Sequence, residues 1–227
     1  MPRRARITVA NIPHHLIQRG NNRSACFYTE DDNLLYLDWL SKYALENDCQ
    51  IHAYVLMTNH VHLLITPEEK SSLASLMKSL GQRYVQYINR SYNRSGTLWE
   101  GRFKSCIVNE SKYVLGCYRY IELNALRAGM VQHPGEYRWS SYGVNAQGES
   151  SDLITPHGDY LALGEFLDSR CKAYRSLFKS EMPAELVDGI RAATNGNYAL
   201  GSEKFKREVE LMLGRRVTAG KKGRPKG

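Results

Sequence analysis

The chain has 227 residues, 42% hydrophobic and 24% charged, which suits one folded domain, or a domain with an appendage, and excludes a disordered chain. No apolar run approaches the roughly 20 residues of a membrane span. The basic start Met1-Pro2-Arg3-Arg4-Ala5-Arg6 lacks the apolar stretch of a signal peptide, and five cysteines without a C-x-x-C pair read as reduced thiols in a cytoplasmic protein.

Taken in order, His14 to Arg19 reads as a short strand, broken by Gly20-Asn21-Asn22. Asp31-Asp32 precedes Leu34, Leu35, Leu37, Leu40, Tyr43 and Ala44 at helical spacing, ending near Asn47. Gln50 to Met57 and His60 to Thr66 read as strands joined by the two-residue link Thr58-Asn59. Ser71-Ser72 is expected to cap a long helix through Leu73, Leu76, Met77, Leu80, Tyr84, Tyr87 and Ile88. After the loop Asn93-Arg94-Ser95-Gly96, Phe103 to Val108 reads as a fourth strand. A last helix opens at Glu110-Ser111, runs to about Leu126 and stops at Gly129. The order strand, helix, strand, strand, helix, strand is the split βαβ arrangement, so the fold class expected is α+β, with a ferredoxin-like βαββαβ antiparallel sheet. Its first and third strands lie side by side in the middle.

Composition changes after Trp139-Ser140-Ser141-Tyr142. Gly143 to Gly158 reads as a Gly/Ser-rich connection, and Leu161 to Phe178 and Met182 to Leu213 as short helices. The expected division is 1–142 for the main domain, 143–213 for a mainly helical C-terminal segment and 214–227 for a basic flexible tail. The net charge is +8, and six of those charges fall between Glu203 and Gly227, where nine Lys and Arg face three Glu. Such a tail suits contact with a phosphate backbone, although a solubilising tail would share its composition.

The chemistry begins with His60-Val61-His62. Residues i and i+2 of a strand share a face, so the two imidazoles point the same way, as two ligands of a divalent metal would. Two ordinary histidines would satisfy the same spacing, and a third ligand must come from elsewhere. Tyr120 and Asn124 stand i and i+4 on the last helix and project together, a phenol beside an amide oxygen. The region between is rich in residues that contact nucleic acid: Gln82, Arg83, Tyr84, Gln86, Tyr87, Asn89, Arg90, Tyr92, Asn93 and Arg94, then Trp99, Arg102 and Lys104. Aromatic faces stack on bases and Arg binds phosphate, while Tyr84 or Tyr87 would serve equally in a core. Tyrosine outnumbers phenylalanine 15 to 5, which favours polar planar surfaces.

The run Ala53-Tyr54-Val55-Leu56-Met57-Thr58-Asn59-His60-Val61-His62-Leu63-Leu64 resembles the HUH signature of single-tyrosine transposases. Four further pieces narrow the likeness. They are Gln18-Arg19-Gly20-Asn21-Asn22-Arg23, Leu98-Trp99-Glu100-Gly101-Arg102-Phe103-Lys104-Ser105, the stretch from Tyr120-Ile121-Glu122-Leu123-Asn124 to Gly129, and Trp139-Ser140-Ser141-Tyr142. Together they resemble the branch called REP-associated tyrosine transposases, over about residues 5 to 145 and in the right order.

The resemblance implies a ferredoxin-like fold and cleavage of single-stranded DNA beside REP-type hairpins through a 5′-phosphotyrosine. It implies His60, His62 and Asn124 as ligands of Mg2+ or Mn2+, and Tyr120 as the nucleophile. Tyr118 is the rival nucleophile and Tyr113 a weaker one, and no base for the phenol stands out. DNA contacts fall to Arg19, Asn22, Arg23, Arg83, Arg90, Arg94, Trp99, Arg102 and Lys104, with Arg215, Arg216, Lys221, Lys222 and Arg224 in the tail. Asn124 stands where related transposases more often have Gln. Ala125 stands where the branch usually has Pro, which puts the end of the helix in question rather than the chemistry. The resemblance favours a monomer, with a helix-exchanged dimer as the alternative.

Other readings compete. A histidine-triad hydrolase needs a third alternating His, where this chain has Leu64. A zinc hydrolase would need more ligands, and His52 has no companion at a recognisable spacing. A catalytically inactive protein that only binds hairpin DNA would have lost a ligand or the tyrosine, and all four residues are present.

Overall fold

The computed structural model describes residues 6–220. Its first strands and helices are β1 (His14–Arg19), α1 (Glu30–Glu46), β2 (Cys49–Met57), β3 (His60–Pro67), α2 (Ser72–Ser91), β4 (Lys104–Val108) and α3 (Ser111–Glu122). A single short turn, α4 (Asn124–Arg127), follows α3. Beyond it lie α5 (Tyr142–Gln147), α6 (Gly158–Leu161), α7 (Leu167–Ser176), α8 (Ala184–Gly196), β5 (Ala199–Leu200) and α9 (Glu203–Leu213). No helix among the described residues is long and apolar enough to cross a membrane.

The strand order is β2-β3-β1-β4-β5. The first four strands pair antiparallel, with β3 and β1 central, which is the ferredoxin-like arrangement. Strand alternation then divides the side chains between two faces. Leu16, Leu56, Val61, Leu63 and Ile65 point to α1 and α2, and form one core with Tyr36, Leu40, Leu76, Leu80 and Tyr84. Ala53, Val55, Leu64 and Cys106 point to the other face, against Cys117 and Ile121 of α3 and Ile190 of α8. The residues opposite His62 are Ile17 and Val55, so the His pair belongs to the α3 face.

Several local expectations are corrected. Ser71 sits at the N-cap of α2 but makes no side-chain cap bond; the Ser72 hydroxyl instead accepts from the Glu69 N–H at 3.4 Å. The helix expected to reach Leu126 breaks at Leu123, whose ψ of 2° leaves the helical range, one residue before Asn124. The Leu123 N–H still bonds Arg119, so the chain direction is nearly kept across the break. Gly129 takes a φ of +69° and ends α4 as expected. The Gly/Ser-rich connection contains α5.

The C-terminal segment also supplies a strand. β5 adds to the sheet parallel to β4, pairing Ile107 with Ala199. Gly116 of α3 leaves room for α8, since a Cβ there would stand 3.0 Å from Leu186. The first part of the expected mobile tail is anchored at Val217, with Gly214, Arg216, Ala219 and Gly220 exposed around it. Gly214 closes α9 in the left-handed conformation, and Val217 is fully buried against Ile7, Ile107 and Val209. The Val217 N–H donates to Glu210, and its carbonyl accepts from Ala199. Lys221, Lys222 and Arg224 lie outside the described residues.

Glu122, at the end of α3, is fully buried. Its carboxylate accepts from the Ser141 hydroxyl at 2.6 Å, the Asn145 amide at 2.8 Å and the Tyr174 hydroxyl at 2.7 Å. Burial pushes its pKa up from 4.5 to about 7, against the pull of those three donors. As pH rises from 4.5 to 7, the unfolded chain gives up this proton while the folded one keeps it. Folding stability therefore falls by about 3 kcal/mol over that window. Glu122→Gln should remove this loss, measured by urea unfolding at pH 5 and pH 8; equal losses in variant and parent would refute the assignment.

Candidate active site at the junction of the sheet, α3 and α8

His60 opens β3 and His62 follows on the same face. The hairpin that carries them is pinned at its tip. The Gly20 N–H donates to Asn59, the Cys26 N–H to Thr58, and the Asn59 amide to the Arg23 carbonyl. Gly20 is required there, since a Cβ would meet the Ser24 carbonyl at 2.2 Å. With its NH2 held by Arg23, Asn59 turns its oxygen to His60 Nδ1 at 2.7 Å. His60 Nδ1 must then carry the proton, which leaves Nε2 as its electron-pair donor.

Tyr120 comes from the last turn of α3 and Asn124 from the first residue of α4. The break between them does not separate them, because both line one cavity of about 350 Å3 with His60 and His62. The Tyr120 ring makes T-shaped contacts with His15 and His62, with centroids 5.5 and 5.6 Å away. The Arg127 guanidinium lies 4.2 Å from its ring centre and bonds its backbone carbonyl. Arg19, Arg102, Lys104, Arg127 and Arg191 line the cavity against one carboxylate, Glu100. Its field therefore favours a polyanion.

Burial lowers the pKa of His60 to about 4, with Arg19 adding to the effect and a hydrogen bond to Asn124 opposing it. His62 is held well below the usual imidazole range, first by burial and then by His15, His60 and the nearby arginines. Both rings are neutral at pH 7, the form that ligates metals. Among the described residues no cluster of three His, Cys, Asp or Glu could hold an ion. The available donor set is thus two imidazoles with the Asn124 amide. Such a set of neutral nitrogen and oxygen donors fits a divalent ion.

The rival tyrosine is elsewhere. Tyr118 is fully buried on the far side of α3, stacked on Tyr160 at 5.9 Å, and its oxygen accepts from the His157 N–H. His52 is spent on the Thr155 carbonyl and the Thr66 hydroxyl.

The expected DNA contacts divide by position. Arg19, Arg102 and Lys104 line the cavity. Asn22 and Arg23 form an exposed turn beside the hairpin tip. Arg83 and Arg90 line a separate cleft with Trp39, Gln86 and Tyr87, on the sheet face away from the histidines. Arg94 reaches the Tyr28 hydroxyl. Arg215 donates to the Arg6 carbonyl and Arg216 to that of Ala219. Trp99 is corrected: it is 5% exposed and stacked on Tyr84 in the core, so its faces are closed to a base.

Six site residues were missed from sequence: His15, Glu100, Arg127, Arg191, Thr194 and Asn195. Arg127 had a local signal, standing i+3 from Asn124 and i+7 from Tyr120 on one helical face. The α8 residues had none.

No curated protein matches the chain. Among solved structures, a REP-associated tyrosine transposase bound to a REP hairpin shares the fold, with a TM-score of 0.55 at 18% identity over 69% of this chain and 93% of that one. A putative transposase from Deinococcus radiodurans R1 is 22% identical over 49% of this chain and 89% of that one, with a TM-score of 0.37. The family model for IS200-like transposases matches residues 8–124, from before β1 through Asn124. That stretch is more than half of the sequence and holds both histidines, the tyrosine and the asparagine, and the chain belongs to the IS200-like transposase family.

Proposed function

We propose that the protein cuts and rejoins single-stranded DNA beside REP-type hairpins, with Tyr120 as nucleophile and with Mn2+ or Mg2+ held by His60, His62 and Asn124. The observation that carries this reading is the meeting of those four residues, from a strand and two helices, in one cavity walled by guanidinium groups. Arg19, Arg102, Lys104, Arg127 and Arg191 would hold the phosphates flanking the scissile bond. The bound ion would act as a Lewis acid on a non-bridging phosphate oxygen. Tyr120 Oη would then bond to phosphorus as the bond to the 3′ oxygen breaks. Its proton leaves to solvent, and the 3′ oxygen is released as a hydroxyl. The 5′-phosphotyrosine keeps the bond energy, so a hydroxyl from another strand reverses the step. Arg127, stacked on the ring, would fix the phenol's direction.

The hairpin itself would lie along the outer cations. Asn22 and Arg23 stand next to the cavity, and Arg83, Arg90 and Arg94 offer further phosphate contacts, joined by Arg215, Arg216 and, from the sequence, Lys221, Lys222 and Arg224. The fold shared with a hairpin-bound relative supports this partner.

The test is a labelled single-stranded hairpin with the full-length protein and Mn2+. An SDS-resistant protein–DNA adduct is expected, and EDTA should abolish it while a gel shift persists. Tight hairpin binding with no adduct under any divalent ion would instead establish a DNA-binding protein without cleavage.

A further inference from the structure

The geometry points to a positioning relay, Thr194 through His15 to His62, that fixes the tautomer of His62 so that its Nε2 faces the metal. It rests on the reading of His62 as a ligand. His15 lies on β1 diagonal to His62 on the same sheet face, because Ile17 pairs with His62 and His15 with Leu64. Its Nε2 stands 2.8 Å from His62 Nδ1, and the two rings are within 10° of coplanar, as an in-plane hydrogen bond requires. Its Nδ1 stands 2.8 Å from Thr194 Oγ1 on α8, 179 residues later in the chain.

Proton accounting leaves one solution. Thr194 Oγ1 lies 2.8 Å from the Ile190 carbonyl, which can only accept, so the threonine proton points there. Both lone pairs of Thr194 are then free to accept. The buried Cys106 thiol, at 3.3 Å, takes one and His15 Nδ1–H takes the other. His15 Nε2 is therefore an acceptor, and His62 Nδ1 must carry the donated proton. His62 Nε2 is left with its lone pair. His60 reaches the same state through Asn59. Two unrelated hydrogen-bond systems thus present two Nε2 atoms of the same kind, the pairing expected where outer-shell partners orient metal-bound histidines. The C-terminal segment thereby acts on a ligand through His15.

The experiment reads the tautomer without metal. In 15N-histidine-labelled, metal-free full-length protein, His62 should be protonated on Nδ1 by long-range 1H–15N correlation. Thr194→Val removes the acceptor for His15 Nδ1. His15 should then donate from Nε2, which forces the His62 proton to Nε2. Mn2+ affinity by calorimetry should fall roughly 10- to 100-fold, and Thr194→Ser should restore both. A wild-type His62 already protonated on Nε2 overturns the relay without any variant. So does a Thr194→Val protein with unchanged tautomer and affinity. If His60→Ala and His62→Ala leave Mn2+ binding intact, the ligand reading falls, while the tautomer measurement still decides the relay.

Discussion

Tyr120→Phe should abolish the covalent adduct completely and leave hairpin binding unchanged. The contacts that hold this residue are made by its ring and its backbone: Arg127 over the face, T-shaped contacts with His15 and His62, and Arg127 on the carbonyl. Phenylalanine keeps all of them, so stability should change by about 1 kcal/mol or less. Only the phenolic oxygen is lost. Tyr118→Phe is the matched control. It forfeits a hydrogen bond from the His157 N–H, at about 1 kcal/mol, and should form the adduct as the parent does. An adduct that survives Tyr120→Phe and disappears with Tyr118→Phe would reverse the assignment, although α3 would then have to turn to bring Tyr118 out of the core.

A chain ending at Tyr142 should fail to fold cooperatively. The segment after it contributes Tyr160, Tyr174, Ile190 and Leu200 to the core on the α3 face. Burying each such side chain stabilises by about 1.5–3 kcal/mol, so the four together approach the whole stability of an ordinary domain. The cut also strips Asn145 and Tyr174 from the buried Glu122, leaving only Ser141. A carboxylate in that state is costly. Urea unfolding followed by near-ultraviolet dichroism should show no sharp transition for residues 1–142. A sharp one would establish that the first 142 residues are an independent domain.

Much of the fold was legible because it is local. The apolar runs of β1 to β4, the two-residue link at Thr58-Asn59 and the helical spacing around Leu73 to Ile88 are each local signals that a sequence displays. The pairing of Tyr120 with Asn124 was also legible, since one helical turn separates them and the break at Leu123 is slight. The failures share a different cause. β5 has two residues and no alternation, and Val217 gives no periodic signal among glycines and cations. Trp99 reads as an aromatic among arginines, and only its depth beside Tyr84 shows it to be core. His15 looked like any strand residue until its register with β3 placed it beside His62. Arg191 and Asn195 reach the cavity, and Thr194 reaches His15, from a helix whose sequence says nothing of β1.

The long reach from His15 to Thr194 has a consequence for how the protein is made. During synthesis the hairpin and its histidines leave the ribosome long before α8 does. Until α8 arrives, His15 lacks its hydroxyl partner, the cavity lacks Arg191 and Asn195, and β4 has an open edge where β5 will lie. Nascent and prematurely terminated chains that lack α8 therefore carry the full sequence signature without the assembled pocket, which forms only once β1 and α8 are both present.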